Sequence, residues 1–373
     1  MRNSTIRFIA AGLALAIFVP LALARQDKNE LPGSTRGSRV ARVLPADAGE
    51  RAKVSLTLIA GDLSDEQVKE LGEVAPNVKI VRAKGRDEAM KLAPEADGVD
   101  GRWVSAEFLG KAKKLSWIHS PSAGVDRLVT VPGVRKNKAL VVTNARGVHG
   151  PAIADHAMAM LLSLTRQLPW YADAQEKGAW TRDEPPTRGV ALAGKTMLVV
   201  GIGGIGTEIA RRAHGFDMRV IATRRSDAPS PEFVEHVGKP DELAAMLPKA
   251  DVVAICVPLT KETERLFDEK MIGAMKRGSY LINIARGKVV DTPALVAALK
   301  DGRLAGAGLD VTDPEPLPAG HELWGLKNVV ITPHVAADGE LTDQRWWALY
   351  KENVRRFGAG EALLNCVDVE AGY

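Results

Sequence analysis

Three side chains in the C-terminal half could do chemistry together. Arg286 closes Asn283-Ile284-Ala285-Arg286, Glu315 stands in Asp313-Pro314-Glu315-Pro316, and His334 follows Thr332-Pro333. A guanidinium can hold an anion, a carboxylate can orient an imidazole, and an imidazole can move a proton, so the set is an acid–base inventory. Taken singly, each has a plain structural reading: a surface arginine, a glutamate in a proline-rich turn, a half-buried histidine. Their common placement is the argument. Each comes after an apolar stretch that reads as a strand (Ser279–Ile284, Leu304–Asp310, Val329–Thr332). Open parallel α/β sheets bind ligands at the carboxyl ends of their strands.

A second motif says what could bind beside them. Gly201-Ile202-Gly203-Gly204-Ile205-Gly206 spells G-x-G-x-x-G between a predicted strand, Thr196–Val200, and a predicted helix, Gly204–Gly215. Gly201 permits the tight turn, Gly203 admits the backbone to a pyrophosphate, and Gly206 lets helix and strand pack closely. The pyrophosphate then sits at the positive end of the helix dipole. An ordinary glycine-rich turn is the alternative, but the strand–turn–helix context is the one a dinucleotide requires. After the next strand, Met218–Thr223, come Arg224, Arg225 and Ser226. Two guanidinium forks and a hydroxyl suit the 2′-phosphate of NADP, whereas an acidic residue would select the free ribose of NAD. The pattern predicts NADP in preference to NAD, with Asp227 still able to serve a ribose.

Both sites need an α/β frame, and the rest of the chain supplies one. Lys53–Ala60, Val78–Arg82, Ala96–Val99, Leu115–His119 and Leu140–Thr143 read as short strands separated by helical segments, one of them opened by a Ser64/Gln67 capping box. Six strands are predicted from 196 to 332, the remaining one at Asp251–Val257. Ile153–Arg166 is apolar nearly all round and reads as a helix buried between domains. Trp170–Val190 reads as a loop, and Leu341–Gly358 as a closing helix. The fold class is therefore α/β: two Rossmann-like doubly wound parallel-sheet domains with a cleft between them. Residues 51–150 form one domain, to which 337–373 return, and 151–336 form the dinucleotide-binding domain. With 373 residues and ~150 per domain, two cores are expected.

Composition removes several function classes. The formal charge is +4, and two of the positive charges, Arg2 and Arg7, fall in an N-terminal leader. That surplus does not make a nucleic-acid surface. Two cysteines, Cys256 and Cys366, cannot build a disulfide scaffold, and His149, His156, His214, His236 and His321 lack ligand spacing, so no metal is expected. Residues 1–24, with an apolar run from Phe8 and an Ala22-Leu23-Ala24 exit, describe a signal peptide, or a membrane anchor if uncleaved. Residues 25–50 read as a linker. Export to the periplasm is expected; an inner-membrane anchored or cytoplasmic form is the alternative, since pyridine nucleotides are recycled inside the cell.

The chain resembles the D-isomer-specific 2-hydroxyacid dehydrogenases. The resemblance rests on GIGGIG at 201–206, CVPLT at 256–260, the stretch from Arg277 to Val311 containing Ala285-Arg286-Gly287, DPEPLP at 313–318, NVVITPHVA at 328–336 and WIHSPSAGVD at 117–126. It also includes IADHAM, with Asp155 where the family usually has Glu. It is strong over roughly 115–360 and only a pattern over 50–115. It implies a discontinuous substrate domain and hydride transfer between a nicotinamide and a small 2-oxo or 2-hydroxy acid. By the same resemblance Arg286 would grip the substrate carboxylate and polarise its keto group. His334 would exchange the proton, and Glu315 would hold the imidazole in its tautomer and favour its protonated form. Ala123, Gly124 and Val125 would hold the carboxylate from the other domain. Gly204, Ile205, Val257, Pro258, Thr263 and Ala285 would line the cofactor, and Asp310 would support the nicotinamide end.

Glyoxylate- and hydroxypyruvate-like substrates are favoured by that likeness, as is a homodimer through the 145–170 region. His119, Ser120, Trp170, Trp180, Arg182 and Arg188 are further candidates to shape the pocket, although packing and solvated loops account for most of them. The competing reading is a non-catalytic nucleotide-sensing or partner-binding protein on this fold, against which the intact Arg286, Glu315 and His334 speak. A third keeps the enzyme but takes phosphite or phosphoglycerate, the long phosphoglycerate form being disfavoured by the lack of an added C-terminal domain.

Overall fold

Runs of β-branched and apolar residues between turns build the first sheet. A computed structural model describes residues 54–180 and 188–372; the expected leader (1–24), the linker (25–50) and Arg182 lie outside the described residues. The chain runs β1 (Leu56–Ala60), α1 (Asp65–Val74), β2 (Val78–Arg82), α2 (Arg86–Leu92), β3 (Gly98–Asp100), α3 (Ala106–Lys111), β4 (Trp117–His119), α4 (Asp126–Val129) and β5 (Val141–Thr143). The strands pair in parallel in the order β2-β1-β3-β4-β5. The Ser64/Gln67 capping box forms at the start of α1 as read.

Two helices follow, α5 (Gly150–Thr165) and α6 (Leu168–Glu176). The latter takes the front of the segment expected to be a loop. Its Pro169 lies in the first turn, where the missing N–H removes no intrahelical bond, so proline content there does not exclude a helix. The second sheet then runs β6 (Thr196–Val200), α7 (Gly204–Gly215), β7 (Arg219–Thr223), β8 (His236–Gly238), α8 (Leu243–Met246), β9 (Val252–Ile255), α9 (Glu269–Ala274), β10 (Ser279–Asn283), α10 (Thr292–Lys300), β11 (Leu304–Leu309) and β12 (Val329–Ile331). Its order is β12-β11-β10-β9-β6-β7-β8, parallel throughout, so the strand order reverses between β6 and β9, beside the glycine turn. Seven strands replace the six expected. The addition, β8, is a short edge strand paired only to β7, with no alternation to reveal it.

Burial assigns the helices to their sheets. Ile153, Ala154, Ala157, Met158, Leu161 and Leu164 of α5 join the core of the second sheet with Met197, Val199 and Ile209. The last helix, α11 (Glu340–Ala359), returns to the first sheet: Tyr350, Val354 and Phe357 pack with Leu56, Leu58, Trp117 and Val141. Trp117 and Phe357 approach to 4.9 Å between ring centroids. Among the described residues no helix is long and apolar enough to cross a membrane.

His119, at the end of β4, is wholly buried, with Nδ1 3.0 Å from Thr143 Oγ1 and its ring 5.0 Å from Tyr350. Burial pushes its imidazole down to about 4. The unfolded chain protonates this residue near 6.5 while the folded one stays neutral, so its full contribution holds above that pH and fades as pH falls towards 4. The loss amounts to about 3 kcal/mol at pH 4. Urea titrations at several pH values should therefore show His119→Gln losing less stability than the parent between pH 7 and 4. Identical slopes would remove His119 as the cause.

Candidate active site

The glycine turn follows a fully buried strand. Gly201 has φ 96°, and a Cβ there would lie 2.8 Å from Val257 Cγ1. A Cβ on Gly206 would collide with the Gly201 carbonyl, so helix and turn can approach only without side chains. Gly203 faces open space instead, and no side chain caps the start of α7. The amides of Gly204 and Ile205 thus sit at an open helix end, while the Ile205 side chain packs on the core beneath. Open space at Gly203 and an uncapped positive helix end fit a dinucleotide pyrophosphate.

Beyond β7, Arg224 spans its own loop, donating to the carbonyls of Ser226, Ala228 and Pro229. Lys239, just after β8, donates to the Arg225 carbonyl at 3.1 Å and pairs with Asp227. Lys239 had no sequence signal, because the strand that delivers it had none. Across the turn, Val257 packs beside Gly201, and the Thr263 hydroxyl donates to the Pro258 carbonyl at 2.6 Å while accepting from the Thr260 amide. Thr263 therefore shapes the loop at 258–263 and spends its hydroxyl proton within it.

The three acid–base candidates leave neighbouring strands. Asn283, Leu309 and Ile331 are register partners across β10, β11 and β12, so the loops carrying Arg286, Glu315 and His334 leave the same edge of the sheet. Asn283 builds the first loop, accepting from the Ala285 amide and donating to the Arg286 carbonyl, both at 3.0 Å. Arg286 bonds the Ala285 carbonyl through Nη1 and reaches Asp126 Oδ1 of the other sheet's domain through Nε and Nη2, at 3.2 and 3.0 Å. Gly124 lies against this guanidinium so closely that a Cβ would strike it. Ala123 is held by Asn144, whose Nδ2 donates to its carbonyl at 2.8 Å, and Val125 is buried. The 123–125 loop and Arg286 are thus brought together, with Asp126 between them as a partner the spacing did not single out.

Glu315 Oε1 lies 3.0 Å from His334 Nδ1. His334 has φ 59°, a left-handed conformation uncommon outside glycine, which its neighbours must over-determine. Its amide donates to the Asp310 carbonyl at 2.8 Å. The buried Asp310 carboxylate accepts from the Val335 and Ala336 amides and from the Thr332 hydroxyl. Asp310, expected near the nicotinamide, therefore commits both oxygens to the loop that carries His334. Of the other pocket candidates, Ser120 is buried beside Ser122, Trp170 stands edge-on to Tyr171, and Trp180 and Arg188 are exposed. His119 is sealed in the core. Among the described residues no cluster of His, Cys, Asp and Glu could hold a metal ion.

A doubly wound parallel sheet with a G-x-G-x-x-G turn, an arginine at its ligand edge and a histidine–carboxylate pair fit a nucleotide-dependent oxidoreductase of two α/β domains. Residues 158–336 match the model of the "D-isomer specific 2-hydroxyacid dehydrogenase, NAD binding domain". Over 332 residues the chain is 35% identical to a glyoxylate reductase of Thermofilum pendens, covering 84% of this chain and 95% of that one. It is 31% identical to a D-3-phosphoglycerate dehydrogenase of Archaeoglobus fulgidus, covering 84% of this chain and 59% of the relative. Among solved structures, a D-isomer specific 2-hydroxyacid dehydrogenase of Xanthobacter autotrophicus Py2 in complex with NADPH and MES superposes with TM-score 0.74 at 28% identity, over 86% of this chain and 100% of that one. The chain belongs to the D-isomer specific 2-hydroxyacid dehydrogenase family.

Proposed function

We propose that this protein is an NADPH-preferring reductase of short 2-oxo acids such as glyoxylate and hydroxypyruvate, forming the D-2-hydroxy acids. The observation that carries the reading is the Glu315–His334 pair at 3.0 Å, rising beside Arg286 at the ligand edge of a dinucleotide-binding sheet. The glyoxylate reductase of Thermofilum pendens and the NADPH-bound Xanthobacter structure support the choice of substrate and cofactor.

When bound, the dihydronicotinamide supplies a hydride to the keto carbon. Arg286 holds the substrate carboxylate and draws charge onto the keto oxygen, with the amides of the 123–125 loop closing from the other domain. Glu315 accepts from His334 Nδ1, which leaves Nε2 to donate the proton to the developing alkoxide. Closure of the two domains over this edge excludes water.

Following NADPH and NADH absorbance with a panel of 2-oxo acids tests the reading, and cofactor binding without turnover on any of them would overturn it. A carboxylate at hydrogen-bond distance from Nδ1 fixes the imidazole tautomer and its orientation. Glu315→Gln should therefore lower kcat ~10-fold, because an amide can turn either end to Nδ1 and no longer fixes the tautomer, and a parental kcat would refute the pairing. Arg224→Asp should weaken NADPH binding ~10- to 100-fold, the worth of a charged hydrogen bond to phosphate. Unchanged NADPH affinity would return the preference to NAD.

A further inference from the structure

The loop that presents His334 is held from a distant helix. His156, on α5, places Nε2 2.9 Å from Thr332 Oγ1, and Thr332 Oγ1 lies 2.7 Å from Asp310 Oδ1. A hydroxyl has one proton, and the Asp310 carboxylate, already accepting two amides, can only accept. The Thr332 proton therefore goes to Asp310, and the hydroxyl must accept from His156 Nε2–H. The chain of donors has one direction: His156 to Thr332 to Asp310. Asp310 in turn receives the amides of Val335 and Ala336 on its carboxylate and that of His334 on its backbone carbonyl. His156 also stands 3.9 Å from Asp310 Oδ1, so its donor edge faces the acid directly behind the hydroxyl.

Geometry makes this more than packing. His334 occupies a left-handed conformation that no local signal imposes, since the residue is not a glycine and carries a functional ring. Its orientation depends on the anchors around Asp310. One of those, the Thr332 hydroxyl, keeps its proton on Asp310 when a donor fills its lone pair, and His156 is that donor. We infer that His156 is a positioning residue for the proton-transferring His334, acting through Thr332 and Asp310 to hold the 332–336 loop in its reactive conformation.

The inference rests on the proposed role of His334 and needs a test that separates the two. Four variants suffice: His156→Leu, Thr332→Val, the double variant, and His156→Gln, which keeps an N–H donor. Amide hydrogen exchange across 332–338 reads the loop without substrate, and kcat and KM for glyoxylate with saturating NADPH read its effect. Each single loss should speed exchange at Val335 and Ala336 and lower kcat ~10-fold, because small displacements of an aligned acid cost rate steeply. The double variant should fall no further, as members of one relay are non-additive. His156→Gln should recover most of the rate and protection, and NADPH affinity, read by fluorescence, should stay at the parental value throughout. Wild-type kcat and exchange in His156→Leu would overturn the inference, as would multiplying losses or a His156→Gln no better than His156→Leu. Should His156→Leu fail to fold, Thr332→Val and His156→Gln carry the same comparison. If His334→Ala itself turns over normally, the proposed function has failed; if His334→Ala is inactive and His156→Leu is not impaired, only this inference has.

Discussion

His334→Ala is expected to lower kcat by ~10²–10⁴ while leaving NADPH affinity in place, the usual span for losing a general acid. The argument is geometric. Nδ1 is committed to Glu315 at 3.0 Å, so the one remaining nitrogen is the proton donor, and the side chain is exposed enough to meet a ligand. Alanine leaves an alkoxide with no acid to discharge it. The backbone loses little by the exchange, because the amide at 334 keeps its bond to the Asp310 carbonyl. Stopped-flow measurement of the hydride step, beside a cofactor titration, separates chemistry from binding. Parental turnover would take His334 out of the mechanism.

The second large effect belongs to Arg286. Arg286→Gln should reduce kcat ~10²–10³, the range for removing one charge-stabilising donor at a developing oxyanion, and should raise KM for the 2-oxo acid as well. The structure adds a further consequence. Asp126, about one-fifth exposed, accepts two bonds from this guanidinium, and the substitution leaves a part-buried carboxylate without them. Stability should drop alongside activity, and adding Asp126→Asn should restore stability without restoring turnover. Measuring thermal midpoints and kinetics on both variants makes the distinction. An Arg286→Gln enzyme with normal kcat would refute the role of the guanidinium, and recovery of activity in the double variant would show that the unpaired acid, rather than the missing cation, was the defect.

The parts of the site that could be read beforehand are those written in short range. β6, the turn and α7 fall where the sequence placed them because an apolar run, three spaced glycines and a helical segment are local signals. The common placement of Arg286, Glu315 and His334 was legible because parallel strands end at one edge of the sheet, so strand ends alone suffice to group them. The misses have the opposite character. β8 is three residues with one ladder partner, and α6 hides behind a proline that its first turn accommodates. Asp126 meets Arg286 across 160 positions and His156 meets Thr332 across 176, separations over which no periodicity or spacing rule operates.

Residue types and their local order determined this protein's fold class, its glycine turn and the grouping of Arg286, Glu315 and His334 at one sheet edge, since strand, turn and helix preferences act within a few residues. Which partners those residues keep was decided only by the tertiary structure. The burial of His119, the swing of Arg286 onto Asp126, the wrapping of the His334 loop around Asp310 and the return of α11 to the first sheet all depend on packing between segments far apart in the chain. Hydrogen bonds and desolvation act at distances of a few ångströms, and those distances exist only once the two sheets and their helices have closed.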